Sequence, residues 1–191
     1  MGRPKALLPV GDGGPTFVAQ LATALLDGGV ADVIVVARPE DAALAEAVAG
    51  LGARVRIVTN PHADRGQLSS VLAGLNAADR PGVHAVLVTP VDVPLIRADT
   101  VQRLLAEFAN RHLPVARATH LGRHGHPVIF GRAVFDALRH ADERVGAKAI
   151  VQSHAHEPID VDVDDPGVLH DIDEPGDYTR LIDPGTKDQE H

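Results

Sequence analysis

The chain has 191 residues, 45% of them hydrophobic, 23% charged and 3% aromatic, and a formal net charge of −8. That length suits one domain with its own core. The acidic balance, with no Trp and one Tyr, argues against a nucleic-acid or anionic-membrane surface, because phosphate is repelled and base-stacking platforms are scarce. The lack of Cys excludes disulfides, thiolate nucleophiles and Cys-based metal centres.

In chain order, MGRPKALLPVGDGG comes first: a Gly-Arg-Pro-Lys turn running into apolar residues, with Lys5 one of only three lysines. A lysine just after such a turn suits a β- or γ-phosphate, although a tetrapeptide alone is unspecific. The i, i+3, i+4 spacing of apolar residues predicts helices over Phe17–Leu26, Asp41–Leu51, Gln67–Ala78 and Asp99–Ala109. Between them, Ala31–Arg38, Arg54–Asn60 and His84–Asp92 read as buried strands, so the first half predicts βαβ units around a parallel sheet. After about residue 110 the pattern becomes mixed: shorter strands in LPVARAT, HPVIF and PIDVDVDD surround helices over Arg132–His140 and Val145–Ser153. Residues 1–182 read as one domain, and the polar Asp183–His191 as a loose tail. A βαβ chain normally begins with a strand feeding its first loop, yet the first strand-like run here starts only at Ala31. The opening strand and loop are therefore expected to be missing from this sequence, either because they lie upstream of Met1 or because the protein lacks half its phosphate site. With no apolar run near the ~20 residues of a membrane span and no signal peptide, cytoplasmic residence is expected.

Four further segments can carry chemistry. In VLVTPVDVPLI an apolar strand delivers Asp92 to its carboxyl edge, where open α/β sheets bind ligands; the carboxylate suits Mg²⁺ on a nucleotide phosphate, or caps the turn. In DIDEPGDY, Asp173 suits an N-cap with Pro175 and Asp177 in the first turn, and serves as a second metal ligand if the sheet brings it beside Asp92. RGQLSSVLAGL starts a helix with Ser69 and Ser70 in its first turn, offering N–H groups and hydroxyls to an anion or base, or simply to the cap. GRHGHPVIFG places His124 and His126 in a loop that reads as a substrate contact or as plain surface; eleven histidines make such pairs common by chance, which weighs against a transition-metal cluster.

Six segments in order, MGRPKALLP, GQLSSVLAGL, TPVDVPLI, GRHGHPVIFG, ERVGAKAIV and DIDEPGDY, resemble the molybdenum cofactor cytidylyltransferase family, and they span nearly the whole chain. The resemblance implies an α/β, three-layer Rossmann-like nucleotidyltransferase fold with a mostly parallel mixed sheet. It implies transfer of CMP from CTP to a phosphorylated pterin, with release of pyrophosphate. Lys5 and Asp92 would be catalytic, and Arg3, Lys5, Gln67, Ser69 and Ser70 would bind the nucleotide. Gly125, His126 and Pro127 would face the pterin, and Asp92 and Asp173 would hold Mg²⁺. A molybdoenzyme or its maturation factor would be the partner. In this family a strand and a glycine-rich loop precede the Met-Gly-x-Pro-Lys segment, and this chain starts inside that motif. Two alternatives follow: a nucleotidyltransferase for another small phosphate acceptor, or a non-catalytic homologue that binds a cofactor or partner.

Overall fold

The computed structural model describes residues 4–173 and 176–178. Arg3, Pro175 and the expected tail Asp183–His191 lie outside them.

After a 3-10 turn at Lys5–Leu7, helix α1 (Phe17–Asp27) starts where Thr16 accepts a hydrogen bond from the Ala19 amide on its hydroxyl oxygen. This is the usual way a helix satisfies one of its free N–H groups. Its apolar stripe buries Phe17, Val18, Leu21 and Leu25. Burial of a ring such as Phe17 stabilises by about 1.5–3 kcal/mol. Strand β1 (Val33–Ala37), helix α2 (Ala42–Ala49) and strand β2 (Val55–Thr59) follow, and the two strands pair in parallel from Val33↔Val55 to Ala37↔Thr59. Helix α3 (Gln67–Ala78) leads to strand β3 (Ala85–Val88), and helix α4 (Ala98–Asn110) to strand β4 (Val115–His120). Strand β5 (Arg123–Gly131), the short helices α5 (Phe135–Arg139) and α6 (Lys148–Ser153), and strand β6 (Asp160–Asp162) complete the order.

Among the described residues the strands form two sheets, β1-β2 and β3-β5-β4-β6. In the second, β5 runs antiparallel to both β3 and β4, while β6 runs parallel to β4. The parallel first half and mixed second half match the sequence reading. Helices cover both faces. On one, α1, α2 and α4 pack Leu21, Leu25, Leu44, Val48 and Val101 against Val33, Ala37 and Val55. On the other, Leu75 of α3 meets Val128 and Phe130 of β5, with α5 and α6 alongside. Ile129 points the opposite way to its neighbours, towards Leu104 and Val161, as strand alternation demands. The fold is a three-layer α/β sandwich.

Strand boundaries are tighter than the apolar runs. The third strand, expected over His84–Asp92, ends at Val88, and Thr89–Val91 lead off it. The helix expected over Arg132–His140 begins as a 3-10 turn at Arg132–Val134. One buried carboxylate serves the scaffold: Asp165, 2% exposed, accepts from the Arg97 and Gly167 amides and the Thr100 hydroxyl, tying the last segment to the start of α4. No helix among the described residues is long and apolar enough to cross a membrane.

Candidate active site

The site lies at the carboxyl edge of β1, β2 and β3. A cavity of about 370 Å³ there is lined by Pro4, Lys5 and Ala6, by Val36–Arg38 at the end of β1, by Gly66, Gln67 and Ser70 at the start of α3, and by Val91 just past β3. Mixed apolar and polar walls of this size suit a small-molecule ligand.

Asp92 stands beside this cavity. Its main-chain carbonyl accepts a 2.8 Å hydrogen bond from the Ile172 amide, which docks the Asp171–Asp173 segment against it. Ile172 is buried against Leu8 and Phe17, and Asp171 and Asp173, one residue to either side, are exposed. Sequence spacing over some 80 intervening residues gave no sign of this register. Lys5 joins the two carboxylates: its ammonium lies 2.7 Å from Asp173 Oδ1 and 3.7 Å from Asp92 Oδ2. The hydrogen bond to Asp173 raises the Lys5 pKa above its ordinary value against the opposing effect of burial, and both carboxylates add attraction. The Asp173 amide donates to the Asp177 side chain at 3.2 Å, so the carboxylate is turned to Lys5 while the main chain takes part in a capping-type turn.

A second cluster orders the start of α3. Gly66 has φ +95°, a conformation that side chains disfavour, and Ser69 donates from its hydroxyl to the Gly66 and His62 carbonyls. Asn60, 3% exposed, donates through its amide nitrogen to the hydroxyl oxygens of Ser69 at 2.8 Å and Ser70 at 3.0 Å. Its own carbonyl oxygen accepts from the His62 amide. Ser69 is thus engaged within the loop and does not line the cavity, whereas Gln67 and Ser70 do. Asn60 and Arg38 escaped the sequence reading. Each is the first residue after a parallel strand, β2 and β1 respectively, and position at a strand's carboxyl end was the available signal.

The Gly125-His126-Pro127 segment, expected in a loop, instead lies on β5, which starts already at Arg123 and brings His126 near Asp92 and Asp171. Gly125 is required there: a Cβ would come 2.3 Å from the Val168 carbonyl oxygen. His126 is half-buried, and its Nδ1 is buried with no hydrogen-bond partner among the described residues. Burial holds its pKa below the ordinary imidazole value, while Asp171 and Asp92 pull the other way. Burial and the neighbouring Asp92 charge push the Asp171 carboxyl up. His124 turns away, with Nε2 3.5 Å from Asp160 Oδ2. Among the described residues, no group of three or more His, Asp or Glu side chains forms a metal centre unaided. Asp92 and Asp173, both within reach of the Lys5 ammonium, are the carboxylates that could hold an ion that takes few protein ligands.

Residues 1–158 match the MobA-like NTP transferase domain. The chain belongs to that family. The match stops short of Asp171 and Asp173, which the fold brings to the site. Rv0371c from Mycobacterium tuberculosis H37Rv has the same fold, with a TM-score of 0.78 and 24% identity over 96% of this chain and 91% of that one. A structure of Rv0371c in complex with manganese gives 0.72 and 25% over 95% and 93%. A nucleotidyl transferase from Methanothermobacter gives 0.74 and 25% over 94% and 84%. No curated protein matches. As a MobA-like NTP transferase domain, the protein is of a nucleotidyltransferase type that uses a nucleoside triphosphate. The cavity with Lys5 at its rim stands where open α/β sheets hold such ligands.

Proposed function

We propose that this protein transfers CMP from CTP to the terminal phosphate of a molybdopterin-type pterin, releasing pyrophosphate. The observation that carries the reading is the meeting of Lys5, Asp92 and Asp173 at the rim of the cavity lined by Gln67 and Ser70. The acceptor needs no protein nucleophile. A phosphate oxygen of the pterin forms the new bond to the α-phosphorus, the bond from that phosphorus to the bridging oxygen breaks, and pyrophosphate leaves with the electron pair. No proton moves in that step, so catalysis rests on positioning and charge.

Lys5 and the exposed Arg38 stand on the cavity wall and offset charge on the departing pyrophosphate, with Arg3, two residues before Lys5, in the same role. Gln67 and Ser70 orient the nucleotide, and Ser69 holds the loop that presents them. Asp92 and Asp173 hold Mg²⁺, which when bound neutralises charge on the phosphates. Gly125, His126 and Pro127 face the pterin. A molybdoenzyme or its maturation factor then receives the product.

The test is pyrophosphate release by the purified protein with Mg²⁺, the phosphorylated pterin and either CTP or GTP. Release at least tenfold faster with CTP is expected. Equal rates would defeat the nucleotide assignment, and release with another small phosphate acceptor but none with the pterin would defeat the acceptor.

A further inference from the structure

The turn after β1 carries an arginine and an aspartate whose side chains the protein itself does not use. Arg38 and Asp41 both line the cavity, and the Asp41 amide donates to the Arg38 carbonyl at 3.2 Å, which closes the turn between them. Among the described residues neither side chain makes a hydrogen bond or an ion pair, not even with the other. Asp41 stands directly before helix α2, where an aspartate ordinarily accepts from an amide of the first turn. Here, at φ −84° and ψ 58°, no side-chain cap bond forms. The main chain is fixed all the same. The Ala45 amide donates to the Asp41 carbonyl at 3.0 Å, and Leu44, 5% exposed, anchors the first turn of α2 in the core beside Ala37 and Val48. The half-buried Asp41 is thus held at the cavity wall by its backbone, and its carboxylate oxygens are left unspent.

Among the residues that line the cavity, Asp41 is the one carboxylate. The other polar side chains there can all donate: Lys5, Arg38, Gln67 and Ser70, whose hydroxyl oxygen already accepts from Asn60. Donors suit phosphate oxygens. A carboxylate repels them, so a nucleoside triphosphate must turn another part of itself towards Asp41. The vicinal hydroxyls of the ribose answer that need: they donate, and they are present whichever base the nucleotide carries. The ribose is also the donor-bearing part nearest the phosphates, to which Arg38, in the same turn, is assigned. A carboxylate holds a ribose 2′-hydroxyl in dinucleotide-binding α/β folds in the same way.

From this inventory we infer that Asp41 is a specificity-determining residue: its carboxylate accepts hydrogen bonds from the 2′- and 3′-hydroxyls of the nucleoside triphosphate and so selects ribonucleotides over deoxyribonucleotides. A deoxy sugar covers the carboxylate without returning a donor to it, and the desolvation goes uncompensated. Asp92 and Asp173 stay with Lys5 and the cation, and Asp41 acts on the sugar. The inference rests on the reading of the cavity as a nucleoside triphosphate site, and it holds for CTP or GTP and for any acceptor.

Equilibrium binding tests it on the unaltered protein and on Asp41→Ala, with CTP and GTP each set against its 2′-deoxy and 3′-deoxy forms, in Mg²⁺ and without acceptor. The unaltered protein is expected to bind the ribonucleotide about tenfold more tightly than either deoxy form, the worth of a hydrogen bond to a charged group. Asp41→Ala is expected to bind all three forms alike, and to melt at the temperature of the unaltered protein, because the side chain holds nothing in the chain itself. Equal binding of the three forms by the unaltered protein, or an undiminished preference in Asp41→Ala, would overturn the inference. An Asp41→Ala protein that melts lower and binds every form more weakly by the same factor would overturn it too, as a scaffold role. Weakening of every CTP form with the GTP forms untouched would assign Asp41 to the base and overturn it likewise. Binding of the GTP series alone would defeat the CTP assignment, while the ribose contrast is then read on GTP.

Discussion

β3 and the Val128–Phe130 stretch of β5 lie side by side and are similarly apolar, yet they are buried to different degrees. All four residues of AVLV in β3 are half-exposed, whereas Val128, Ile129 and Phe130 of β5 are 8%, 0% and 2% exposed. Composition does not explain the difference, but pairing does. Among the described residues, β5 is bonded on both edges, to β3 and β4, and β3 on one. The same holds for β4, bonded on both edges and holding Val115, Ala116 and Ala118 fully buried, against the half-exposed middle of β1. The strands bonded on both edges hold the longer runs of buried side chains, although Val33 and Ala37 of β1 and Val161 of β6 are buried on strands bonded on one edge.

Truncation at matched positions sharpens that contrast. Ile129→Ala, in the completed ladder, is expected to cost about 2–5 kcal/mol in chemical denaturation, the range for a buried aliphatic side chain. Leu87→Ala, in β3, is expected to cost less than half as much in the same protein, because Leu87 is only half-buried. Equal losses would break the comparison. The smallest effect concerns His126, further along β5. Burial lowers its folded pKa, so the unfolded chain binds the proton more readily, and stability falls as pH drops below the ordinary imidazole value of about 6.5. Denaturation midpoints measured from pH 7.5 to 5.5 are expected to decline less steeply in His126→Asn than in the unaltered protein. Parallel slopes would mean that the imidazole is equally easy to protonate in both states.

Much of the scaffold was legible in the sequence because two-sided burial leaves continuous apolar runs: VIVVA, VRIVT and AVLV are strands, and the Ala/Leu stretches between them are helices. Boundaries were less legible, since Pro90 and Val91 prolong the apolar pattern after pairing stops at Val88. Lys5, Asp92 and Asp173 were legible as residue types at suitable loop positions, but their meeting depends on the bond between the Ile172 amide and the Asp92 carbonyl, which no local pattern encodes. Ser69 is the reverse case, a hydroxyl that suited either a ligand or the cap. A hydroxyl in the first turn of a helix looks available for a ligand, while Asn60, nine residues earlier, engages it from a neighbouring strand end. Asn60 and Arg38 carry no motif. Only their place at the carboxyl end of a strand gives them a role.

The central claim is that Asp92 and Asp173 form one cation site despite their distance in sequence. Titration of manganese followed by electron paramagnetic resonance, in the presence of CTP, tests it on the unaltered protein and on Asp92→Asn, Asp173→Asn and the double variant. The account predicts that each single change weakens manganese binding at least tenfold, and that the double variant binds less tightly than either. Full affinity in Asp173→Asn, with loss confined to Asp92→Asn, would contradict it.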